Sequence, residues 1–290
     1  MNSIKKVLVT GGSGKAGRFV VRELLAHGYD VVNVDWKPSD EVHTFQVELC
    51  DLGQVFGVME GRDAVLHLAA YPWAGEHAAE VVFRNNVMST YNVLQAACVL
   101  GVKKIVLAGS ESALGFPFFF IPFAPHYLPI DEAHPLLAQD AYGLSKIIYE
   151  TLGQGYTRRD PSLSITCLRL SYVLRPEDYR EELRQAWADE GRNSFNLWAY
   201  IDARDCAAAF RLAMETFHPG FEACYIAARD TLMRQPTLDL VRRYFPPVER
   251  VAEGFGGRMS PLDCRRAKQL IGFEPAYTWD MVVSPQDVEG

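Results

Sequence analysis

The sequence carries no metal-ligand pattern: its six cysteines (Cys50, Cys98, Cys167, Cys206, Cys224 and Cys264) are scattered without a C-x-x-C pair, and its seven histidines show no ligand spacing. In a chain of this length such cysteines are expected to be reduced thiols, which points to the cytoplasm. There is no excess of positive charge either. A formal net charge of -7 leaves no basic footprint for nucleic acid or an anionic membrane surface. No apolar run is long enough to span a bilayer as a helix, because the stretch from Phe116 to Leu128 is broken by Pro117, Pro122 and Pro125. The opening Met1-Asn2-Ser3-Ile4-Lys5-Lys6 runs straight into an apolar strand and is expected to leave no room for a signal segment. Repeats and low-complexity tracts are lacking as well. What remains is a cytoplasmic globular protein whose partner is a small molecule, not nucleic acid or membrane.

The 290 residues, 49% hydrophobic, suffice for one large domain or a domain with a small lobe. Strand-like apolar runs over 6–10, 30–35, 44–48, 64–70, 104–110 and 164–173 alternate with helical patterns over 14–27, 52–59, 78–100 and 142–158. That alternation predicts an α/β fold with a doubly wound parallel sheet. Beyond 175 the alternation loosens. Helices are expected from Pro176 to about 191, in the Ala-rich run capped by Asp205, and over 237–244 and 263–270, with a strand over 223–227. The division expected is a cofactor-binding part over 1–175 and a smaller, mostly helical lobe over 176–290, not an independent domain, closing over the carboxyl ends of the strands.

The first strand breaks into Thr10-Gly11-Gly12-Ser13-Gly14-Lys15-Ala16-Gly17 before a helical pattern resumes. Backbone N–H groups of Gly11, Ser13, Gly14, Lys15, Ala16 and Gly17 beside a helix N-terminus suit a pyrophosphate, although the glycine spacing alone also fits an ordinary strand-to-helix turn. Asp35 closes the second strand about 20 residues further on, where a carboxylate accepts both ribose hydroxyls of an adenosine and repels a 2′-phosphate. The pair points to NAD over NADP, with Lys37 close enough to soften the preference. Tyr142 and Lys146 lie four apart on a predicted helix, so phenol and ammonium share a face, and a cation beside a phenol is expected to lower its pKa. That helix follows the fifth strand, whose end carries Ser110.

With these motifs, together with Asp51-Leu52, His67-Leu68-Ala69-Ala70, Asn86-Val87, Gly115 and Tyr200-Ile201-Asp202, the chain resembles the extended short-chain dehydrogenases/reductases of the NAD-dependent epimerase/dehydratase superfamily along nearly its whole length. The resemblance implies a Rossmann-type sheet, a homodimer formed through the helices near 78–100 and 142–158, and a role for each matching residue. Asp51 and Leu52 would border the adenine, Leu68, Ala69 and Ala70 would line the dinucleotide, and Asn86 would hold that region. Tyr142 would be the acid/base, Lys146 would bind the nicotinamide ribose and tune Tyr142, and Ser110 would hydrogen-bond the reacting oxygen. A core role for Leu68–Ala70, as for His67, is the competing reading.

Three features bear on the substrate. Glu111 is half of the acidic pair that dehydratases of the superfamily carry, Ser112 standing in the second place, so dehydration is a minor alternative. Tyr172 and Trp198 stand where nucleotide-sugar epimerases of the superfamily carry an Asn and an Arg for the nucleoside diphosphate. The chain is closer in style to small uronate-dehydrogenase-like members, in which Arg175 or Arg192 would meet a carboxylate, either arginine being equally readable as a solvated helix residue. The expected activity is an NAD-dependent dehydrogenase of a free sugar, sugar acid or derivative. An epimerase retaining NAD is the alternative, and a non-catalytic NAD-binding regulator a minor one. The insert over 116–123, five of its eight residues phenylalanine, reads as a pocket lid, a subunit contact or loop packing.

Overall fold

A computed structural model describes residues 4–73, 75 and 77–289; the expected leaderless start at Met1–Ser3 lies outside them. In chain order the strands are β1 (Lys6–Thr10), β2 (Asp30–Val34), β3 (Thr44–Phe45), β4 (Ala64–His67), β5 (Lys104–Ser110), β6 (Tyr127–Leu128), β7 (Ser164–Leu170), β8 (Tyr172–Leu174), β9 (Tyr200–Asp202), β10 (Gly220–Ile226) and β11 (Arg250–Val251). The helices are α1 (Gly17–Ala26), α2 (Leu52–Met59), α3 (Ala79–Leu100), α4 (Ala141–Arg159), α5 (Tyr179–Ala188), α6 (Ala203–Glu215), α7 (Thr237–Tyr244), α8 (Arg265–Ile271), α9 (Trp279–Val282) and α10 (Pro285–Glu289).

Seven parallel strands form the central sheet in the order β10-β7-β5-β4-β1-β2-β3. Alternation along each strand divides the core: Val7 and Val9 pack with Val20 and Leu24 of α1 and Phe210 of α6, whereas Leu8 packs with Val93 and Leu94 of α3 on the opposite face. Burial on both faces explains why these strands read as continuous apolar runs. Chain order reverses direction between β1 and β4, which are neighbours, and their carboxyl ends make the crevice where sheets of this kind bind ligands.

The chain returns to the sheet well after residue 175. α6 packs on α1, and β10 pairs with β7 from Gly220↔Ser164 to Ile226↔Leu170, so the sheet unit is not confined to 1–175. The run expected as one strand over 164–173 is two. β7 stops at Leu170, the Ser171 N–H still bonds the Ile226 carbonyl at 3.1 Å, and β8 leaves to pair with β9 in a separate sheet. The lobe is therefore built on strand pairs as well as helices, around a core that includes Phe116, Trp198, Leu240 and Phe245. Asp205 does not cap α6. Asp202 does, accepting from the Arg204 N–H at 2.8 Å, while Asp205 accepts from Ala276 and Tyr277 N–H and ties the C-terminal segment to α6. No helix among the described residues is long and apolar enough to cross a membrane.

Candidate active site

The glycine stretch is a turn, and α1 begins only at Gly17, three residues later than the periodicity suggested. Its tightness is steric: a Cβ at Gly11 would meet the Ala69 backbone nitrogen at 2.6 Å, and one at Gly17 would meet the Gly11 carbonyl oxygen at 2.0 Å. Asn33, buried in the middle of β2, holds the turn from below, accepting from Gly12 N–H at 2.9 Å and donating to the Ser13 hydroxyl at 2.9 Å. Asp35 accepts from Ser13 N–H at 3.0 Å, which places its carboxylate at the same turn. The N–H groups of Lys15, Ala16 and Gly17 have no acceptor among the described residues. An anion-ready helix start, glycines that a side chain would block and an acidic residue at the end of β2 together fit a dinucleotide.

The far wall of this crevice follows β4. Leu68, Ala69 and Ala70 line it, and the Ala69 N–H bonds the Thr10 hydroxyl at 3.2 Å. Asn86 does not touch the crevice; it fixes the next residue of the wall by accepting from Tyr71 N–H at 2.8 Å and donating to its carbonyl at 3.0 Å. His67 is a core residue, bridging the Thr10 and Thr90 hydroxyls at 2.7 and 3.1 Å, and burial drives its pKa down to about 3, so it is neutral. Asp51 and Leu52 are not in the wall. Asp51 is the N-cap of α2, accepting from Gly53 and Gln54 N–H, and the lining residues there are Val47, Glu48 and Leu49. A motif that borders a ligand in a family has here the local task of starting a helix.

Ser110 ends β5 and caps the short 3-10 turn Glu111–Leu114, its hydroxyl accepting from Ser112 N–H at 3.1 Å. Asp140 caps α4 by accepting from Tyr142 and Gly143 N–H at 2.8 and 3.0 Å, which places Tyr142 in the first turn. Close packing of that turn depends on Gly143, where a Cβ would meet the Ser112 carbonyl oxygen at 2.6 Å. One turn later the Lys146 ammonium donates to the Ala108 carbonyl at 2.8 Å and lies 5.3 Å from the Tyr142 ring centroid. Ser110, Tyr142 and Lys146 thus line one end of the cleft whose other end is the glycine turn, a space of ≈ 1310 Å3. That exceeds the roughly 300–1,000 Å3 of ordinary small-molecule pockets, as a dinucleotide plus a second ligand requires.

The expected lowering of the tyrosine pKa is not what the surroundings produce. Burial pushes the Tyr142 phenol up to about 12, with the Ser110 hydroxyl acting in the other direction, and burial pulls the Lys146 ammonium down to about 7. Desolvation dominates both shifts, because each charged form loses water. The phenol stays protonated near neutral pH, while the Lys146 amine sits where it can both take and give a proton. Glu111 lines the same end; burial raises its carboxyl well above the usual range, against a hydrogen bond from the Tyr172 backbone.

At the mouth, Lys15 pairs with Asp178 at 3.1 Å and Arg18 with Glu177 at 2.9 Å, clasping the glycine turn to the segment after β8. Arg175 lines the cleft but is bound to Asp178, whereas Arg192 lines it without an ion pair among the described residues. Tyr172 also lines it, its hydroxyl donating to Glu182 at 2.8 Å. Trp198 does not: it is fully buried in the lobe core and donates to the Glu190 carbonyl at 2.7 Å. Sequence reading missed Asn33, whose signal was a polar residue inside Val31-Val32-Asn33-Val34. It also missed Phe195, which no local pattern marks and which meets Phe118 only through the fold.

The sequence model of the NAD dependent epimerase/dehydratase family matches residues 7–223. An L-arabinose 1-dehydrogenase (NAD(P)(+)) of Haloferax volcanii is 27% identical over 219 residues, 74% of this chain and 84% of that protein. UDP-glucose 4-epimerase 2 of Oryza sativa subsp. japonica is 29% identical over 187 residues, 57% of this chain but only 44% of that longer protein. Among solved structures, MoeE5 in complex with UDP-glucose and NAD shares the fold, with a TM-score of 0.72, 22% identity and coverage of 97% of each chain.

Proposed function

From its place in the NAD-dependent epimerase/dehydratase family, to which the chain belongs, we propose that this NAD-dependent enzyme is a dehydrogenase of a sugar-like hydroxyl substrate, a free sugar, sugar acid or derivative. The observation that carries the reading is the convergence of Ser110, Tyr142 and Lys146 on the cleft that begins at the glycine turn. NAD, held by the N–H groups of Lys15, Ala16 and Gly17 and by Asp35, would supply the hydride acceptor. Tyr142 takes the hydroxyl proton of the substrate as it gives up its own phenol proton, for which the Lys146 amine is the acceptor; Ser110 hydrogen-bonds the oxygen that becomes a carbonyl, and Lys146 is anchored on the Ala108 carbonyl at 2.8 Å. The Asp35 carboxylate, bonded to Ser13 N–H at 3.0 Å beneath the turn, disfavours a 2′-phosphate and supports NAD over NADP.

Burial of Trp198 away from the cleft supports a substrate without a nucleoside diphosphate. The epimerase reading has its own support in the likeness to UDP-glucose 4-epimerase 2 of Oryza sativa subsp. japonica, 29% identical over 187 residues. A panel of free sugars and sugar acids supplied with NAD separates the two. The dehydrogenase accumulates reduced nicotinamide with at least one member. Isomerisation of a sugar by protein carrying tightly held NAD, with no net reduction, would sink the dehydrogenase reading.

We further propose a cytoplasmic homodimer. All six cysteines are free thiols, which supports a reducing compartment. Phe83, Met88 and Tyr91 of α3 and Leu144 of α4 are each more than a third exposed, and the two helices pack side by side, which supports pairing through that face.

A further inference from the structure

Beside Tyr142 the cleft opens into a side pocket of ≈ 270 Å3 walled by Phe116, Phe118, Phe119 and Phe195. Phe118 and Phe195 belong to both spaces, and the Phe118 ring stands edge-on to the Tyr142 ring with centroids 6.5 Å apart. Four phenyl rings offer no hydrogen-bond donor or acceptor, so a sugar hydroxyl turned toward them gains no partner there. An apolar cavity of about 150 Å3 already admits benzene, so a ring fits with room to spare.

The walls are fixed, not collapsed by chance. The Gln139 side chain clamps the insert, accepting from Phe120 and Ile121 N–H at 3.0 and 2.9 Å and donating to the Ile121 carbonyl at 3.0 Å. Phe118 holds a φ of 64°, and Leu197 and Trp198, just after Phe195, hold 55° and 58°. Among the described residues these are the three non-glycine positions with positive φ, and all lie in the two segments that form the pocket. Such strain concentrates at functional sites, where the surrounding structure holds the backbone in place. Phe118, itself at positive φ, is 41% exposed and turned toward the opening; Phe195 is 38% exposed, while Leu197 and Trp198 after it are buried in the lobe core.

We propose that this pocket is the subsite for an aryl substituent of the substrate, so that the hydroxyl on which Tyr142 acts belongs to a sugar-like or diol compound carrying an aromatic ring beside it. The proposal rests on the dehydrogenase reading for the hydroxyl, and on the four rings alone for the substituent. The ring makes offset and edge contacts with Phe118 and Phe195 while the polar end of the compound faces Ser110 and Tyr142. Phe116, 1% exposed, is the floor.

Equilibrium titration of NAD-saturated protein with 1-phenyl-1,2-ethanediol and with 1,2-propanediol is the test, because the two share the diol and differ in the ring. The expected result is at least ten-fold tighter binding of the phenyl compound, and loss of most of that margin in a Phe118→Ala/Phe195→Ala double variant whose melting curve shows that it is folded. Both side chains are partly exposed, and Phe118→Gly, which suits the positive φ, gives a second variant with the same expected loss. Equal binding of the two diols, or a margin that survives the double variant, overturns the proposal. Binding is read without turnover, so the pocket assignment stands or falls on the diol margin, while the dehydrogenase reading stands or falls separately on the sugar and sugar-acid panel.

Discussion

Tyr142 and Lys146 show how far spacing alone carries an argument at the scale of single residues. Their separation of four placed them on one face, and the ammonium does lie 5.3 Å from the phenol ring centroid. What spacing could not supply was the dielectric: burial raises the phenol to about 12 and lowers the ammonium to about 7, and burial is a property of the packed molecule. Lys104 repeats the lesson away from the site. It is buried at the start of β5, donating to the Ser164 and Thr166 hydroxyls at 2.9 and 3.4 Å with no carboxylate partner among the described residues, and its pKa falls from 10.5 to about 7. At this site the unfolded chain therefore binds the proton between those two values while the folded chain does not, and the contribution of Lys104 to stability rises with pH across that window and is lowest below it. Lys104→Met is expected to flatten the rise and to increase the melting temperature at neutral pH, by about 2–4 °C for each kcal/mol recovered. Thermal melts of both proteins from neutral to alkaline pH check this; a gap between the variant and the wild type that does not narrow as pH rises would contradict it.

Elements whose signals are local were legible. The runs at β1 and β5 and the helical pattern of α2 end where the sequence placed them, since an apolar run and a helical period depend on near neighbours. Boundaries set by distant contacts were not. β3 is two residues long because only Thr44 and Phe45 find partners on β2, and β4 stops at His67 where the chain turns under Gly11. Asp205 looked like a cap and is instead a clamp on residues 276 and 277, a contact between positions about 70 apart that no window reveals. α4 reaches Ser110 through one small residue. Gly143→Ala would set a Cβ 2.6 Å from the Ser112 carbonyl, which must push the Tyr142 turn away from the serine. The expected outcome is a fall in kcat of at least ten-fold with NAD affinity unchanged, because a displacement of about 1 Å at a reacting group costs on the order of a hundred-fold. Unaltered kcat would show that this approach does not position the phenol.

At the scale of the whole molecule, the doubly wound sheet and its crevice could be read because the strand–helix alternation covers most of the chain. The lobe could not, since its core joins the insert at Phe116 to Trp198 and Phe245, three segments far apart in sequence. Substrate selection lies in those same joins, which is why the sequence named a cofactor more readily than a substrate. Light scattering on the purified protein tests the proposed pairing: a mass of twice 32.6 kDa is expected, falling toward 32.6 kDa in Phe83→Lys/Tyr91→Lys, whereas a monomeric wild type would refute it. The central claim, a dehydrogenase in which Tyr142 moves the proton beside bound NAD, is tested most directly by the turnover of Tyr142→Phe. With the substrate found from the sugar and sugar-acid panel, the account predicts that formation of reduced nicotinamide drops by at least a hundred-fold while NAD binds as in the wild type. Turnover by Tyr142→Phe within a few-fold of the wild type would contradict it.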